Sequence, residues 1–356
     1  MSKEKSAIWT EMATAMPRVT VLIDTYNYGR YIGQAIESVL SQDVPRQQRE
    51  VLVVDDGSTD DTRSRIEPYV GQVEYLYKPN GGQASAFNYG IARARGEIVA
   101  LLDADDYWLP GKLQRVIDEF DKHPDVGLVY HPFQEFREET GEWREGQFNA
   151  VSGNIQKDKK QILQYTATQT SGLAFRARLL RELLPLNEAM TIQPDGLLAA
   201  LIIFLAPVVA IPQPLAVYRI HGANLYFQSK REIDKDRQMR RIATLRVILS
   251  EMDEWLRAHG FDLKQREILA FRKRWQLLYE REEFLFEKPN RMRFFLHLVR
   301  SMSLMNPCLN AKIQMVNVMN AAGCLLFGYD NYDQLDDWRV GLKRALGIGQ
   351  QVRLKA

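Results

Sequence analysis

Over the first third of the chain, short apolar runs alternate with amphipathic stretches. Residues 19–23, 51–54, 73–77, 98–102 and 126–130 each read as a strand bounded by turn residues. Between the first two, IGQAIESVLSQ places Ile32, Ile36, Val39 and Leu40 on one helical face. Thr59 or Asp60 suits the cap of a helix running toward Tyr69. KPNGGQASA opens a helix ending near Arg95, and residues 110–122 form another with proline at its start. Five strands alternating with helices imply crossover βαβ units and a mostly parallel sheet, an α/β fold.

Beyond residue 131 the pattern loosens. A hairpin and a helix around 157–163 are expected, then a short strand at 172–175 and a helix at 176–184. Residues 196–205 form an unusually apolar helix, and 208–211 and 215–219 are extended around Pro212 and Pro214. From about residue 230 strand signals vanish. Ile242, Leu245, Leu249, Met252 and Leu256 mark one face of a long helix, and helical periodicity continues through 268–286, 291–304 and 310–327. The expected organisation is a lead-in over 1–17, an α/β domain over 18–229 and an all-helical C-terminal region over 230–356.

Composition narrows the class. With 46% hydrophobic and 26% charged residues the chain resembles an ordinary soluble protein, and a net charge of +2 argues against a dedicated nucleic-acid binder. Cys308 and Cys324 lie far apart and read as core residues of a reducing compartment. The amino terminus lacks an apolar signal core, and the longest apolar stretch, 196–211, is broken by Pro207. A cytoplasmic location is expected.

The chemistry gathers at strand ends. The uncharged run 98–102 leads directly into Asp103, Asp105 and Asp106, and the i, i+2 pair Asp103 and Asp105 can turn two hard oxygens toward Mg²⁺ or Mn²⁺. Loops 24–27, 55–60 and 80–85 stand at the same carboxyl edge, where open α/β sheets bind ligands. Tyr26 can stack on a base, with Thr25 and Asn27 offering hydrogen bonds. Asp56, acceptor-only when ionised, can take the N–H of a uracil ring. Gly57 permits close approach, and Gly81 and Gly82 lead into a helix whose free N–H groups suit an anion. Each loop alone reads equally as an ordinary Asn/Asp/Gly turn. Four in register point to a nucleotide.

VTVLIDTYNYGRYIGQAIESVLSQ, VLVVDDGSTDDT, KPNGGQASAFNYGIARARGEIVALLDADDYWLPGKL and YRIHGAN, in that order, strongly resemble glycosyltransferase family 2. The resemblance spans roughly residues 18–224 and implies the GT-A fold and an inverting transfer from a nucleotide-diphospho sugar. It implies that Tyr26, Asp56 and Asp103 hold the nucleotide, with Thr25, Asn27 and Ala104 in the same pocket. Asp105 is the implied metal ligand beside Asp103, the metal being Mn²⁺ or Mg²⁺. The helix opening at Gly82, Gln83 and Ser85 closes over the sugar diphosphate. Asp195, ahead of the apolar helix, stands where the family places its general base, and it also suits a helix N-cap. His221 stands where relatives bring an imidazole toward phosphates or metal, or it is a hydrogen-bonded surface residue.

Departures accompany the likeness. Asp24 replaces a usual proline, Pro194 replaces a usual acid, and the helix after Asp195 is nearly free of charge. The implied reaction moves a sugar from a UDP-linked donor to a hydroxyl of a glycan or lipid-linked acceptor in surface polysaccharide synthesis. A sugar-phosphate nucleotidyltransferase is the enzymatic alternative, although DTYNYGR lacks its basic triphosphate loop. A non-catalytic sugar-nucleotide-binding protein is the other. Residues 288–312 hold Lys288, Arg291, Arg293, Arg300 and Lys312 with no acid, interleaved with Phe294, Phe295, Leu296, Leu298 and Met302. Such a helix either lies in a membrane interface as a peripheral attachment or packs on the protein with its arginines in water. Through residues 230–330 the chain also has a surface suited to a homodimer.

Overall fold

A computed structural model describes residues 16–305 except 147, 167, 223, 225–234 and 288–290. In it β1 (Val19–Thr25), α1 (Gly29–Leu40), β2 (Arg49–Asp55), α2 (Thr62–Ile66), β3 (Glu74–Tyr77), α3 (Gln83–Ile91) and β4 (Ile98–Asp103) alternate as the apolar runs imply. The next elements are β5 (Tyr107–Trp108), α4 (Lys112–Lys122), β6 (Leu128–Tyr130), β7 (Phe133–Arg137), β8 (Glu142–Glu145), α5 (Lys159–Gln164), β9 (Leu173–Arg176) and α6 (Ala177–Arg181). After these come α7 (Pro194–Leu205), β10 (Val208–Ala210), β11 (Ala216–Ile220), α8 (Lys235–Ala258), α9 (Arg266–Glu287) and α10 (Arg291–Met305). Residues 310–327, Cys308, Cys324, Lys288 and Lys312, together with most of the 1–17 lead-in, lie outside the described residues.

The chain divides into two units. The first comprises 1–146, 167–188 and 198–220, and the second 147–166, 189–197 and 221–356. Segments 147–166 and 189–197 therefore group with the C-terminal helices. The first unit contains a seven-stranded sheet in the order β10-β6-β9-β4-β1-β2-β3. β4, β1, β2 and β3 are mutually parallel, so their carboxyl ends share one edge. β4 lies between β1 and an antiparallel β9, and Ile98 to Leu102 are wholly buried, as an uncharged central strand requires. A smaller sheet, β5-β11-β7-β8, grows from the loop that follows β4. α3 lies tight on the larger sheet at Gly90, where a Cβ would meet Leu22 at 2.4 Å and Val54 at 2.8 Å.

In the second unit α8 buries Ile242, Leu245, Ile248, Met252 and Leu256, and α9 buries Ile268 and Phe271. The buried seam takes Ile248 where the sequence pattern favours Leu249, which is half-buried. Arg272 of α9 pairs with Asp253 of α8, and Arg274 donates to the Tyr165 carbonyl and, at 3.2 Å, to Thr166 Oγ1. On α10, Phe294 and His297 are buried while Met292, Leu296 and Val299 are exposed. No helix among the described residues is long and apolar enough to cross a membrane.

Candidate active site

Register fixes what meets at the carboxyl edge. Asp24 of β1 stands beside Val54 of β2 on one side and Asp103 of β4 on the other. The main-chain N–H of Ala104 donates to the Asp24 carbonyl at 3.2 Å. Gln83, the first residue of α3, reaches back over this edge. Its Nε2 donates to Asp24 Oδ2 and to Asp103 Oδ1, each at 3.1 Å, so one amide spans two carboxylates. Burial pushes the Asp24 carboxyl up to about 7, against hydrogen bonds from Gln83 and Asp103 that pull it down.

Directly after β4 the chain makes a turn closed by Asp106 N–H to the Asp103 carbonyl at 3.0 Å. Carboxylate oxygens of Asp103, Asp105 and Asp106 lie within 4.8 Å of one another. Burial holds Asp106 well above the ordinary carboxylate range, and Asp105 adds to the shift. The Tyr28 hydroxyl is likewise raised, first by burial and then by Asp105 and Asp103. Crowded, partly desolvated hard oxygens are relieved by a divalent cation, so the donor set fits Mg²⁺ or Mn²⁺.

Two further loops complete the edge. The Asp56 carboxylate accepts from Lys78 Nζ at 2.5 Å, Asn80 Nδ2 at 3.2 Å, Gly81 N–H at 3.0 Å and Gly82 N–H at 2.7 Å. The acceptor expected to face a base is therefore engaged by its own chain. Gly57, at φ +83°, makes this possible, since a Cβ there would stand 2.6 Å from the Asn80 nitrogen. Asn27, at φ 57°, ties the β1 loop to the β2 loop. Its Oδ1 accepts the Thr59 N–H at 2.8 Å, and its own N–H donates to Ser58 Oγ at 2.9 Å. Tyr26 beside it is 44% exposed. Thr25 Oγ1 is buried without a hydrogen-bond partner. Ser85 is buried in the first turn of α3, behind Gly82 at its cap.

Thr25, Tyr26, Asn27, Asp56, Gly82, Gln83, Ser85, Asp103, Ala104 and Asp105 thus belong to one edge of the first unit. Asp195 and His221 belong to the second unit. Pro194 takes the first position of α7, so Asp195 lies inside the first turn and not at the cap, where its charge still suits the helix dipole. The His221 N–H donates to Asn224 Oδ1. Sequence reasoning missed Lys78 and Tyr28, and placed Asn80 only as the start of the 80–85 loop. Lys78 gives no signal beyond being a lone cation before a turn, whereas Tyr28 follows the YN pair and was open to the same reading as Tyr26.

A parallel sheet with an acid turn at the end of its central strand, followed by a small second sheet, defines a GT-A domain. Residues 20–184 match the Glycosyl transferase family 2 model, and this segment belongs to that family. The chain is 36% identical over 218 residues to an uncharacterized glycosyltransferase of Nostoc sp., covering 58% of this chain and 66% of that protein. It is 42% identical over 116 residues to one of Mycoplasma pneumoniae, covering 31% and 39%. The matches thus span at most about two thirds of these relatives' own lengths. Among solved structures, S. aureus TarS 1-349 in complex with UDP-GlcNAc is similar at TM-score 0.56 and 19% identity, over 95% of this chain and 94% of that one. The mannosyltransferase PcManGT of Pyrobaculum calidifontis, in complex with GDP-Man and Mn²⁺, is similar at TM-score 0.53 and 18% identity, over 99% and 94%. At these identities the likeness speaks to the fold.

Proposed function

We propose that this protein is a metal-dependent inverting glycosyltransferase. It takes a sugar from a UDP-linked donor and delivers it to a hydroxyl of a glycan or lipid-linked acceptor in surface polysaccharide synthesis. The observation that carries the reading is the convergence of Tyr26, Asp56, Gln83, Asp103 and Asp105 on one carboxyl edge. The nucleotide-sugar complexes of TarS and PcManGT support it.

Asp103 and Asp105 would hold a divalent cation, which would neutralise charge on the diphosphate leaving group. Tyr26 offers its ring to the base. A base N–H takes the place of Lys78 or Asn80 on Asp56, while Gly81 and Gly82 keep their bonds. The free N–H groups opening α3 at Gln83 and Ser85 face the phosphates. Asp195 accepts the proton of the acceptor hydroxyl as its oxygen attacks the anomeric carbon. The new C–O bond forms as the bond to the diphosphate oxygen breaks on the opposite face, which inverts the centre. His221 would supply a further contact to the metal or the phosphates.

A thermal-shift panel of UDP, dTDP, GDP and CDP with and without Mn²⁺, combined with a donor-turnover assay, tests the reading. Asp105→Asn should lose both metal-dependent nucleotide binding and transfer, whereas Asp195→Asn should lose transfer alone. Full turnover by Asp195→Asn would place the base elsewhere, and no shift with any nucleotide would remove the reading. The same proposal places the protein at the inner face of a membrane. α10 exposes Met292, Leu296 and Val299 beside Arg293 and Arg300, and its sequence carries no acid. Cosedimentation with anionic vesicles that survives charge reversal at Arg293 and Arg300 would exclude this attachment.

A further inference from the structure

The three clustered acids are not equivalent. Asp106 is 1% exposed, and each of its carboxylate oxygens already has a donor. Oδ1 accepts the Arg219 N–H at 3.0 Å, and Oδ2 accepts the Ser171 hydroxyl at 2.5 Å. Ser171 is fixed in turn. Its Oγ accepts the Asp103 N–H at 3.2 Å, and its carbonyl accepts Trp108 Nε1–H at 3.0 Å. A hydroxyl has one proton to give, and here it goes to Asp106 while a lone pair takes Asp103. Arg219 adds a third hold through Nε to the Asp105 carbonyl at 3.0 Å. Its guanidinium lies against the rings of Tyr31 at 4.9 Å and Tyr107 at 5.4 Å and bonds Gln34. The turn is therefore gripped at the Asp103 amide, the Asp105 carbonyl and the Asp106 side chain. None of these grips uses the side chain of Asp103 or Asp105.

We infer that Asp106, Ser171 and Arg219 form a buried clasp that sets the separation of the Asp103 and Asp105 carboxylates for a divalent cation. Asp106 is a positioning residue and not a ligand. The inference rests on the metal-dependent reading above and deepens it by dividing the cluster into two ligands and one tether. Mg²⁺ and Mn²⁺ favour narrowly defined oxygen geometry, so a turn free to open would bind them weakly. Groups that orient ligands without touching the metal commonly control its affinity.

Asparagine at 106 separates tether from ligand. Its carbonyl still accepts the Arg219 N–H, and its amide can donate to Ser171 Oγ, so the clasp survives without the charge. Mn²⁺ affinity, read from the electron paramagnetic resonance of free Mn²⁺ in the presence of UDP, should stay within about fivefold of wild type in Asp106→Asn. It should fall by about 10- to 100-fold in Asp106→Leu and Ser171→Ala, the usual effect of losing an orienting group. Ser171→Thr, which keeps the hydroxyl, should restore it. Metal-free UDP binding and the far-ultraviolet circular dichroism of each variant should match wild type, which separates positioning from a general loss of fold. Loss of Mn²⁺ in Asp106→Asn as severe as in Asp105→Asn would make Asp106 a ligand and overturn the clasp alone. Unchanged affinity in Ser171→Ala would overturn it as well. If the wild-type chain binds no Mn²⁺, the metal-dependent reading falls and the clasp with it.

Discussion

Gly57 and Gly71 share a backbone angle, φ +83°, but not an environment, and this pair gives a controlled test of the proposed nucleotide edge. At Gly71 a Cβ would meet nothing within 4 Å, whereas at Gly57 it would stand 2.6 Å from the Asn80 nitrogen. Both alanine variants bear the left-handed conformation, about 1–2 kcal/mol. Both also gain the same stiffening of the unfolded chain, so these contributions cancel between them. What remains is contact. To reach ordinary separation, near 3.4 Å, the Asn80 backbone must retreat by about 0.8 Å. Carried through the turn, that displacement lengthens Gly81 N–H to Asp56 from 3.0 Å to about 3.8 Å and Gly82 N–H from 2.7 Å to about 3.5 Å. One to two hydrogen bonds to a buried carboxylate are then lost, at about 1.5–3 kcal/mol each. Gly57→Ala should therefore unfold in urea about 2–5 kcal/mol more easily than Gly71→Ala. It should also lose at least about tenfold in UDP affinity, the equivalent of 1.4 kcal/mol, while Gly71→Ala keeps wild-type affinity. Equal destabilisation of the two variants would refute the claim that Asp56 organises residues 78–82.

Two more predictions concern the interior of the first unit. Lys112 is wholly buried, its Nζ has no hydrogen-bond partner, and it rests 3.2 Å from the centre of the Trp108 ring. A desolvated cation–π contact contributes about 2 kcal/mol, less than the several kcal/mol of burying an unpaired ammonium. Burial accordingly depresses the amine, and Lys112→Met should raise stability at pH 7 by about 1–3 kcal/mol. The sign follows from proton binding. Below about pH 10.4 the unfolded chain binds a proton the folded amine resists, so the wild type should gain on the variant as pH rises toward that value. A less stable Lys112→Met variant at pH 7 in urea titrations would contradict this. His131, also wholly buried, holds its Nδ1 against the Pro132 carbonyl at 2.8 Å, and burial takes it from 6.5 down to about 3. Between those values only the unfolded chain takes the proton, so wild-type stability should drop by about 1.4 kcal/mol per pH unit more steeply than that of His131→Asn. Parallel stability curves for the two proteins between pH 6 and 4.5 would refute it.

The parts legible in the sequence are those where local pattern and tertiary role coincide. Residues 98–102 are apolar on both faces because β4 is covered on both sides, and the acids begin where the strand leaves the sheet. Asn27 and Gly57 sit where the backbone needs positive φ, and their residue types announce turns. What was not legible depends on distant partners. Residues 172–175 read as a strand, but nothing in four residues says that β9 inserts antiparallel between β4 and β6. Residues 215–219 read as extended, yet their pairing with β5 and β7 in a separate sheet follows from long-range register. Asp56 was recognisable as an acceptor. That Lys78, twenty-two residues on, fills one of its oxygens is a matter of how β3 ends beside β2.

The same contrast bears on how the acid turn is held. Asp103 ends β4 of the large sheet, and Asp106 directly precedes β5 of the small one, so the turn is the covalent joint between two sheets of the first unit. The groups that grip it come from the neighbours of those two strands: Ser171 precedes β9, which pairs with β4, and Arg219 lies on β11, which pairs with β5. Only Ala104 and Asp105 lie between Asp103 and Asp106, too little chain to absorb a slip of one sheet against the other. The separation of the two carboxylates is therefore set jointly by both sheets. A substitution that loosens β9 or β11 without touching an acid should appear as weakened Mn²⁺ binding before it appears as weakened nucleotide binding, because the loops proposed to meet the base are braced within the large sheet by Asn27, Asp56 and Gly57.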